Sequence, residues 1–446
     1  MLSALRRMFA CAAFGGAVLA AGAVHAQSQV AGELSDTTAQ SNFSRDRNVG
    51  VRERPHPEFE AQGVRFGAFM AYPRVEIAVE HDDNIFPTTA GPQDDDVIWR
   101  VKPQINVVSG WSRHQMELWA AASVNRFTDH KSEDTTDWRV GGHLRLDLAE
   151  RTTVEAKLEH ADLTEPRTSS NAVGAQAEPV QYTMDEASLG IAKEFNRLRL
   201  GAGVDWRKFD YDDVRRIAPP GKIEQDDRDR LVTAVTGRAD YAISPATAVF
   251  VETTWNDRAF DTPTPVPAPI LFAERDSSGY SVLAGVNFEL SNLTRGEIGV
   301  GYLDQNYDSP AFADISGFGY RAKLEWFPSQ LTTVTATAAR SVEDSGFIGG
   351  GGYLFTDLGV QVDHELFRNV ILTGQFSWTK SEYEFQAPGA SREDDRSLIA
   401  VSATWLVNRR VGLNVGFSHL NQDSSGTLAG PEFDDNKVGA ALVLQF

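Results

Sequence analysis

The chain ends with the stretch Lys437-Val-Gly-Ala-Ala-Leu-Val-Leu-Gln-Phe446. Side chains alternate between the two faces of an extended strand. Leu442 and Leu444 therefore share an apolar face with the terminal phenylalanine, whereas Gly439 and Gln445 share the opposite face with the lysine. A strand with one apolar face and one wet or small-residue face is typical of a membrane-spanning β-barrel. The stretch thus predicts the closing strand of such a barrel.

The same two-residue period recurs along the chain from Pro73 onwards. In the segments 198–207, 318–326 and 411–418, apolar side chains alternate with glycine or with polar and charged residues. Many such segments run to about 12 residues or more, which is enough to cross a bilayer at a tilt of about 45°. We therefore expect an all-β protein that forms a transmembrane, antiparallel, up-and-down β-barrel.

The connections between these segments alternate between short and long, as periplasmic turns and external loops of an outer-membrane barrel do. Eight short and nine long connections predict 18 strands, or 16 if one hairpin is misassigned. The short ones are expected at Gly110-Trp111, Glu150-Arg151, Asn196, Ser244-Pro245, Ser291-Asn292, Ser329-Gln330, Phe367-Arg368 and Asn408. The long ones are expected near 85–95, 130–134, 164–181, 211–225, 259–274, 309–313, 345–351, 384–392 and 423–432.

The beginning of the chain has the features of a secretory signal peptide. Arg6 and Arg7 precede an apolar stretch over 8–23, and Val24-His25-Ala26 supplies small residues for a cleavage site. We predict a signal peptide over 1–26, a flexible periplasmic N-terminal extension over 27–62 and the barrel over 63–446. The only cysteine, Cys11, would be removed with the signal peptide, so no disulfide bond is expected. These features predict export to the outer membrane of a Gram-negative bacterium.

The charge and the motifs exclude several classes of function. The net charge of −20 becomes −22 without Arg6 and Arg7, which argues against a nucleic-acid partner. No phosphate loop, nucleotide fingerprint or zinc-ligand spacing is present, so we predict no cofactor and no metal site. His81 and His130, each next to aspartate, are the nearest approach to a catalytic group, and neither has further partners in sequence. We do not expect an enzyme.

The polar face of the predicted strands carries charges of both signs. A barrel of this size encloses water rather than a packed core. These side chains can offer charges and hydrogen bonds to a polar solute, or they can pair across strands in a wall that must be polar in any case. The lumen-lining candidates are Arg100, Lys102, Arg139, Arg145, Glu155, Lys157, Arg199, Asp205, Arg207, Arg238, Asp240, Glu252, Arg321, Lys323, Glu325, Asp357 and Asp363.

Tryptophans near the strand ends predict two interfacial belts, one at each membrane surface. The external belt would contain Trp99, Trp138, Trp206, Trp255 and Trp378, and the periplasmic belt Trp111, Trp326 and Trp405.

Two parts of the sequence resemble known bacterial proteins. Lys437, Gly439, Leu442, Leu444 and Phe446 are similar to the C-terminal signal by which outer-membrane barrels are recognised for insertion. The segments 52–59, 63–69 and 82–85, with Ile98-Trp99-Arg100, resemble the start of a family of outer-membrane barrels met in exopolysaccharide and capsule export clusters. The resemblance covers the 50–100 region. It implies outer-membrane lipid and lipopolysaccharide as surroundings, insertion by the barrel-assembly machinery, and periplasmic polysaccharide-export components as partners.

Three functions are compatible with these observations. The first is a hydrophilic conduit for export of a polysaccharide, which the family resemblance implies. The second is a general diffusion porin for small solutes, and the third is a plugged barrel with a structural or assembly role. A porin should carry a loop between its fifth and sixth strands that folds inward as a constriction, and only the segment Thr164–Gln181 is placed to do so.

Overall fold

The computed structural model describes residues 49–87, 93–148, 151–171, 176–266, 272–290, 293–347 and 349–446. The predicted signal peptide and residues 27–48 of the predicted extension lie outside the described residues, as do parts of the turns at 150 and 291–292.

A closed antiparallel barrel of 18 strands forms the body of the protein, which confirms the predicted fold and the larger of the two strand numbers. We number these strands β1 to β18 in chain order. They are Phe69–Asp82, Asp96–Ser109, Gln115–Phe127, Thr135–Asp147, Thr152–Thr164, Gln181–Glu194, Leu198–Tyr211, Arg230–Ser244, Thr247–Phe260, Ser277–Leu290, Thr294–Tyr307, Ile315–Ser329, Thr332–Asp344, Gly352–Phe367, Val370–Tyr383, Arg392–Leu406, Val411–Ser425 and Phe433–Gln445.

The barrel closes because β1 pairs with β18 as well as with β2. The register of the closing pair runs from Arg74 opposite Gln445 to Asp82 opposite Lys437. The side chains of the last two also meet, with the Lys437 Nζ atom 2.7 Å from Asp82 Oδ2. A short strand, Val64–Phe66, turns back on the start of β1. Full closure satisfies the backbone groups that an open sheet would leave exposed to lipid.

The connections alternate between short and long, as predicted. Tight turns such as 245–246 and 330–331 lie at one end of the barrel, and long loops such as 212–229 and 384–391 lie at the other. The long loops contain the two 3-10 turns of the described residues, Lys131–Glu133 and Asp226–Arg228. No helix in the described part of the chain is both long enough and apolar enough to cross a membrane.

The outer surface is apolar. Along β18, Val438 is 55% exposed, whereas Asp435, Ala441 and Gln445 of the opposite parity are buried. Seven of the tryptophans assigned to the two interfacial belts are exposed large side chains, with Trp99 exposed to 56%. Lipid is the environment that favours such a surface, because exposed apolar area on this scale is unfavourable in water.

Candidate solute pathway through the barrel

Ion pairs between strands that are not neighbours identify the inner wall. The Arg238 guanidinium of β8 lies 2.8 Å from the carboxylate of Glu297 on β11. Arg321 of β12 contacts Glu252 of β9 at 2.9 Å. Two strands separate the partners of each pair, so the contacts form on the concave inner side of the sheet. Residues with the same parity as these side chains share that side.

The lumen-lining candidates from the sequence all have this inward parity. Their conduction role stays a prediction, and many of them pair within the wall. The pairs within the wall are Arg100–Glu80, Lys102–Glu76, Arg145–Glu155, Lys157–Glu186, Arg238–Asp240 and Arg321–Glu252. Asp363 pairs instead with Arg52, which precedes the first strand. Arg139 differs, because it is exposed and has no ion-pair partner among the described residues.

The loop between the fifth and sixth strands crosses the lumen. We call residues 165–171 the crossing loop. The Thr168 carbonyl accepts a hydrogen bond from Arg396 Nη2 at 2.6 Å, and the Ser170 carbonyl accepts one from Arg392 Nη2 at 3.3 Å. Both arginines belong to β16, which lies on the opposite side of the barrel from β5 and β6. The inward fold that the sequence allowed is therefore present.

The near side of the crossing loop is also held by charged groups. Glu165 accepts hydrogen bonds of 2.8 and 3.0 Å from the buried Arg228 guanidinium. Arg167 forms a second pair with Glu133, also at 2.8 Å. At its far end, Asn171 donates to the Asp344 carbonyl at 3.2 Å and accepts from the Gly346 amide at 2.9 Å. The external end of the lumen is thus spanned by a loop with polar anchors on both walls.

A group of arginines, the Asp344 cluster, lies beside the crossing loop. The carboxylate of Asp344 lies 2.6 Å from Arg258 Nη1 and 2.8 Å from Arg230 Nε. Arg275, the third member, is fully buried and donates to the Asp227 carbonyl at 2.7 Å and to the Ser345 carbonyl. One carboxylate therefore faces three guanidinium groups in a region that excludes water.

The loop 226–229 carries acidic groups close together. Burial raises the pKa of Asp229 to about 6, and the carboxylates of Asp210, Asp226 and Asp261 act in the same direction. The Tyr211 amide opposes this effect by donating a hydrogen bond to Asp229 Oδ1 at 2.6 Å. Asp229 therefore changes its charge within the range of pH that bacteria meet.

The described part of the N-terminal extension, residues 49–62, lies against the periplasmic end of the barrel, and we call it the N-terminal segment. Arg52 pairs with Asp363 at 2.7 Å, Arg54 pairs with Glu365, and Glu53 pairs with Arg295 at 2.9 Å. The amide of Val51, which is wholly buried, donates to Thr333 Oγ1 at 2.9 Å. A flexible tail was expected here from the polar composition, and this part is instead anchored because its charges meet opposite charges on the wall.

The N-terminal segment also reaches the closing strands. Arg409 Nε donates to the Pro57 carbonyl at 3.1 Å, and Gln445 Nε2 donates to the Phe59 carbonyl at 3.1 Å. The segment therefore links β11, β13 and β14 to the turn before β17 and to the end of β18 across the periplasmic mouth.

Three carboxylates at the external end of β1 and β18 approach one another. Those of Asp82, Asp83 and Asp435 offer oxygens within 4.8 Å of each other. Lys437 Nζ lies 2.7 Å from Asp82 and 3.1 Å from Asp435, so a lysine already supplies positive charge there.

Between the two ends, the wall formed by β2 to β8 borders a cavity of about 560 Å³. Trp119 lines this cavity, and it is the one tryptophan that the interfacial belts leave unassigned. Its position could have been found in the sequence, because it shares the polar parity of Gln115 and Glu117 on β3. Tryptophan on the wet face of a strand is the signal that was missed.

A comparison with protein families finds a match over most of the chain. The family model described as “Putative beta-barrel porin 2” matches residues 56–446. The chain belongs to this family. With the closed barrel and the apolar outer surface, membership identifies a porin-like β-barrel of the bacterial outer membrane.

The barrel is similar to several solved structures. The siderophore receptor PirA from Acinetobacter baumannii is 8% identical, with 84% of this chain and 80% of that chain covered and a TM-score of 0.46. The outer membrane protein opdK from Pseudomonas aeruginosa and a BenF-like porin from Pseudomonas fluorescens Pf-5 are each 11% identical. In each comparison the match covers 84% of this chain and 99% of the other chain, and the TM-scores are 0.42 and 0.44. No curated protein matches the chain.

Proposed function

We propose that the protein is a passive conduit for small hydrophilic solutes, constricted by the crossing loop. The observation that carries the proposal is the pair of hydrogen bonds from Arg392 and Arg396 to the loop carbonyls of the opposite wall. A loop between the fifth and sixth strands that narrows the lumen is the feature expected of a diffusion porin. The charged inner wall supports the same function, since fixed charges and hydrogen-bonding groups replace bulk water around a polar solute.

Export of a polysaccharide is the second candidate, and the resemblance of the 50–100 region to export-associated barrels favours it. In this function, periplasmic export components would bind the short-turn end of the barrel. A glycan chain needs a continuous passage, so the crossing loop and the N-terminal segment would both have to leave the lumen. A plugged structural barrel is the third candidate, favoured by the contacts of the N-terminal segment. In each case lipopolysaccharide surrounds the external rim and the assembly machinery recognises the last strand.

Liposome swelling distinguishes these functions. Wild-type protein should admit a monosaccharide but exclude larger oligosaccharides, because the crossing loop narrows the lumen. The double substitution Arg392→Ala and Arg396→Ala should release the far side of the loop and admit larger sugars at a higher rate. The matched control is Arg340→Ala, which removes a guanidinium paired with Glu382 rather than with the loop.

The outcomes separate the candidates. A size limit that rises in the double variant and stays unchanged in Arg340→Ala supports the constricted conduit. Equal size limits in all three proteins would contradict the role of the crossing loop. Impermeable liposomes in every case, with the barrel shown to be inserted, would refute the conduit and favour the plugged barrel.

A further inference from the structure

Trp119 lies flat against the inner wall. Its indole Nε1 donates a hydrogen bond to Glu159 Oε2 at 3.0 Å, and Glu159 faces the lumen beside Lys157. On the neighbouring strand β4, Gly141 stands opposite Trp119 in the register. A Cβ atom at Gly141 would lie only 2.5 and 2.6 Å from the indole Cζ2 and Cε2 atoms. The glycine therefore makes room for the indole ring over the backbone of β4.

The cavity in front of this ring contains polar atoms without partners. Asn106 Oδ1 and His143 Nε2 are buried and have no hydrogen-bond partner among the described residues. Both residues line the cavity, and Asn106 stands opposite Trp119 in the register of β2 and β3. Buried polar atoms left unpaired are costly, so a partner that enters the cavity would be favoured there.

Arg139 adds an unpaired donor to the same cavity. It lies two residues from Gly141 on the same face of β4, and its cross-strand neighbours are Ala121 and Ala161. These small side chains leave the guanidinium exposed to the lumen. We call the part of the cavity formed by Trp119, Asn106, His143 and Arg139 the Trp119 pocket.

We propose that the Trp119 pocket binds a carbohydrate ring, as a subsite for solutes that pass through the proposed conduit. A sugar presents an apolar C–H face that packs on an aromatic ring, and hydroxyl groups that donate and accept hydrogen bonds at once. The pocket offers an indole surface together with unpaired acceptors and an unpaired donor. The volume of the whole cavity, about 560 Å³, is that of a small-molecule site.

Two other small-molecule classes fit the pocket less well. An aromatic carboxylate could use Arg139 and the indole, but it would face the carboxylate of Glu159 and would leave Asn106 Oδ1 without a donor. A cationic amino acid could pair its side chain with Glu159 and its α-carboxylate with Arg139, but it presents no C–H ring face to the indole. A hydroxylated ring satisfies both kinds of group without adding charge.

Binding is measured on the complete barrel in nanodiscs, which avoids sugar-based detergents. Titration with maltose, followed by ligand-observed NMR, should give saturable binding to the wild-type protein. Trp119→Ala should weaken it about tenfold, the loss expected for one aromatic platform. Trp119→Phe should retain part of the affinity for maltose. The matched control is Trp405→Phe on the outer surface, where 48% of the side chain is exposed, and it should bind as the wild type does.

Three results would overturn the assignment. One is no saturable maltose binding by the wild-type barrel, and another is equal binding by wild type and Trp119→Ala. The third is binding of benzoate or L-arginine in preference to maltose. Because the titration does not depend on transport, maltose binding without liposome swelling would refute the conduit alone. Swelling without maltose binding would refute the pocket alone.

Discussion

Asp344 lies where strands β8, β9 and β13 meet the external loops. Its carboxylate forms ion pairs with Arg230 and Arg258, and it also interacts electrostatically with Arg275. Guanidinium groups in a buried site are tolerated only when an opposite charge or carbonyl oxygens solvate them. The carboxylate of Asp344 therefore stabilises the guanidinium groups beside the crossing loop.

Asp344→Asn tests this role. The substitution keeps the shape of the side chain but removes the ion-pair partner of Arg230 and Arg258, so we expect a loss of about 3–5 kcal/mol in the free energy of unfolding. Urea unfolding of the protein in lipid vesicles measures this change in free energy. The control is Glu178→Gln, which breaks the exposed pair between Arg215 and Glu178 in the external loops and should cost far less, because exposed ion pairs contribute little to stability. Equal losses in the two variants would show that the Asp344 cluster has no special role.

The strands were predictable from sequence, whereas the elements inside the lumen were not. A two-residue period is local information, and β7 and β12 show it without reference to the rest of the chain. The crossing loop is held by contacts between Thr168 and Arg396, which are 228 positions apart. Nothing in the Thr/Ser/Ala/Gly composition of the loop specifies that contact, so sequence could only allow it.

The N-terminal segment and Trp119 illustrate two further limits. The segment is polar enough to be soluble as a free tail, and its binding to the wall depends on Asp363 and Glu365, which are more than 300 positions away. Trp119 does carry a local signal in its parity. The position of the indole ring, however, depends on Gly141 of the next strand. Only the register of the two strands places Gly141 opposite Trp119.

The loop 226–229 should respond to pH through Asp229. Because the pKa of Asp229 is raised to about 6 in the folded protein, the folded loop binds a proton more tightly than the unfolded chain does. Its contribution to loop stability is therefore present below the ordinary pKa of about 4 and is lost as the pH rises to about 6. Hydrogen exchange of residues 226–229, corrected for intrinsic rates, should show weaker protection at pH 7.5 than at pH 5.

Asp229→Asn serves as the matched variant for this measurement. Its amide oxygen can still accept the hydrogen bond from the Tyr211 amide, but it has no charge to gain. Protection in the variant should be the same at both values of pH. A similar fall in protection in the wild type and in the variant would assign the pH response to other groups.

At the scale of the whole molecule, one closed sheet separates two environments. The outer face meets lipid with apolar side chains, and the inner face holds charges that pair across the wall. The crossing loop narrows the external end, and the N-terminal segment covers part of the periplasmic end. A cavity lined by Trp119 lies between them, along the wall formed by β2 to β8. This arrangement predicts a water-filled lumen whose resistance lies mainly at its two ends.

Single-channel conductance in planar bilayers tests that prediction most directly. Two proteins should be compared, one containing residues 27–446 and the other lacking 27–62. The account predicts small, steady steps for the longer protein and larger steps for the shorter one, because the ion pairs of Arg52 and Arg54 hold the N-terminal segment in the periplasmic mouth. Steps of equal size would contradict the role of the segment. An inserted barrel that stays silent in both forms would contradict the water-filled lumen itself.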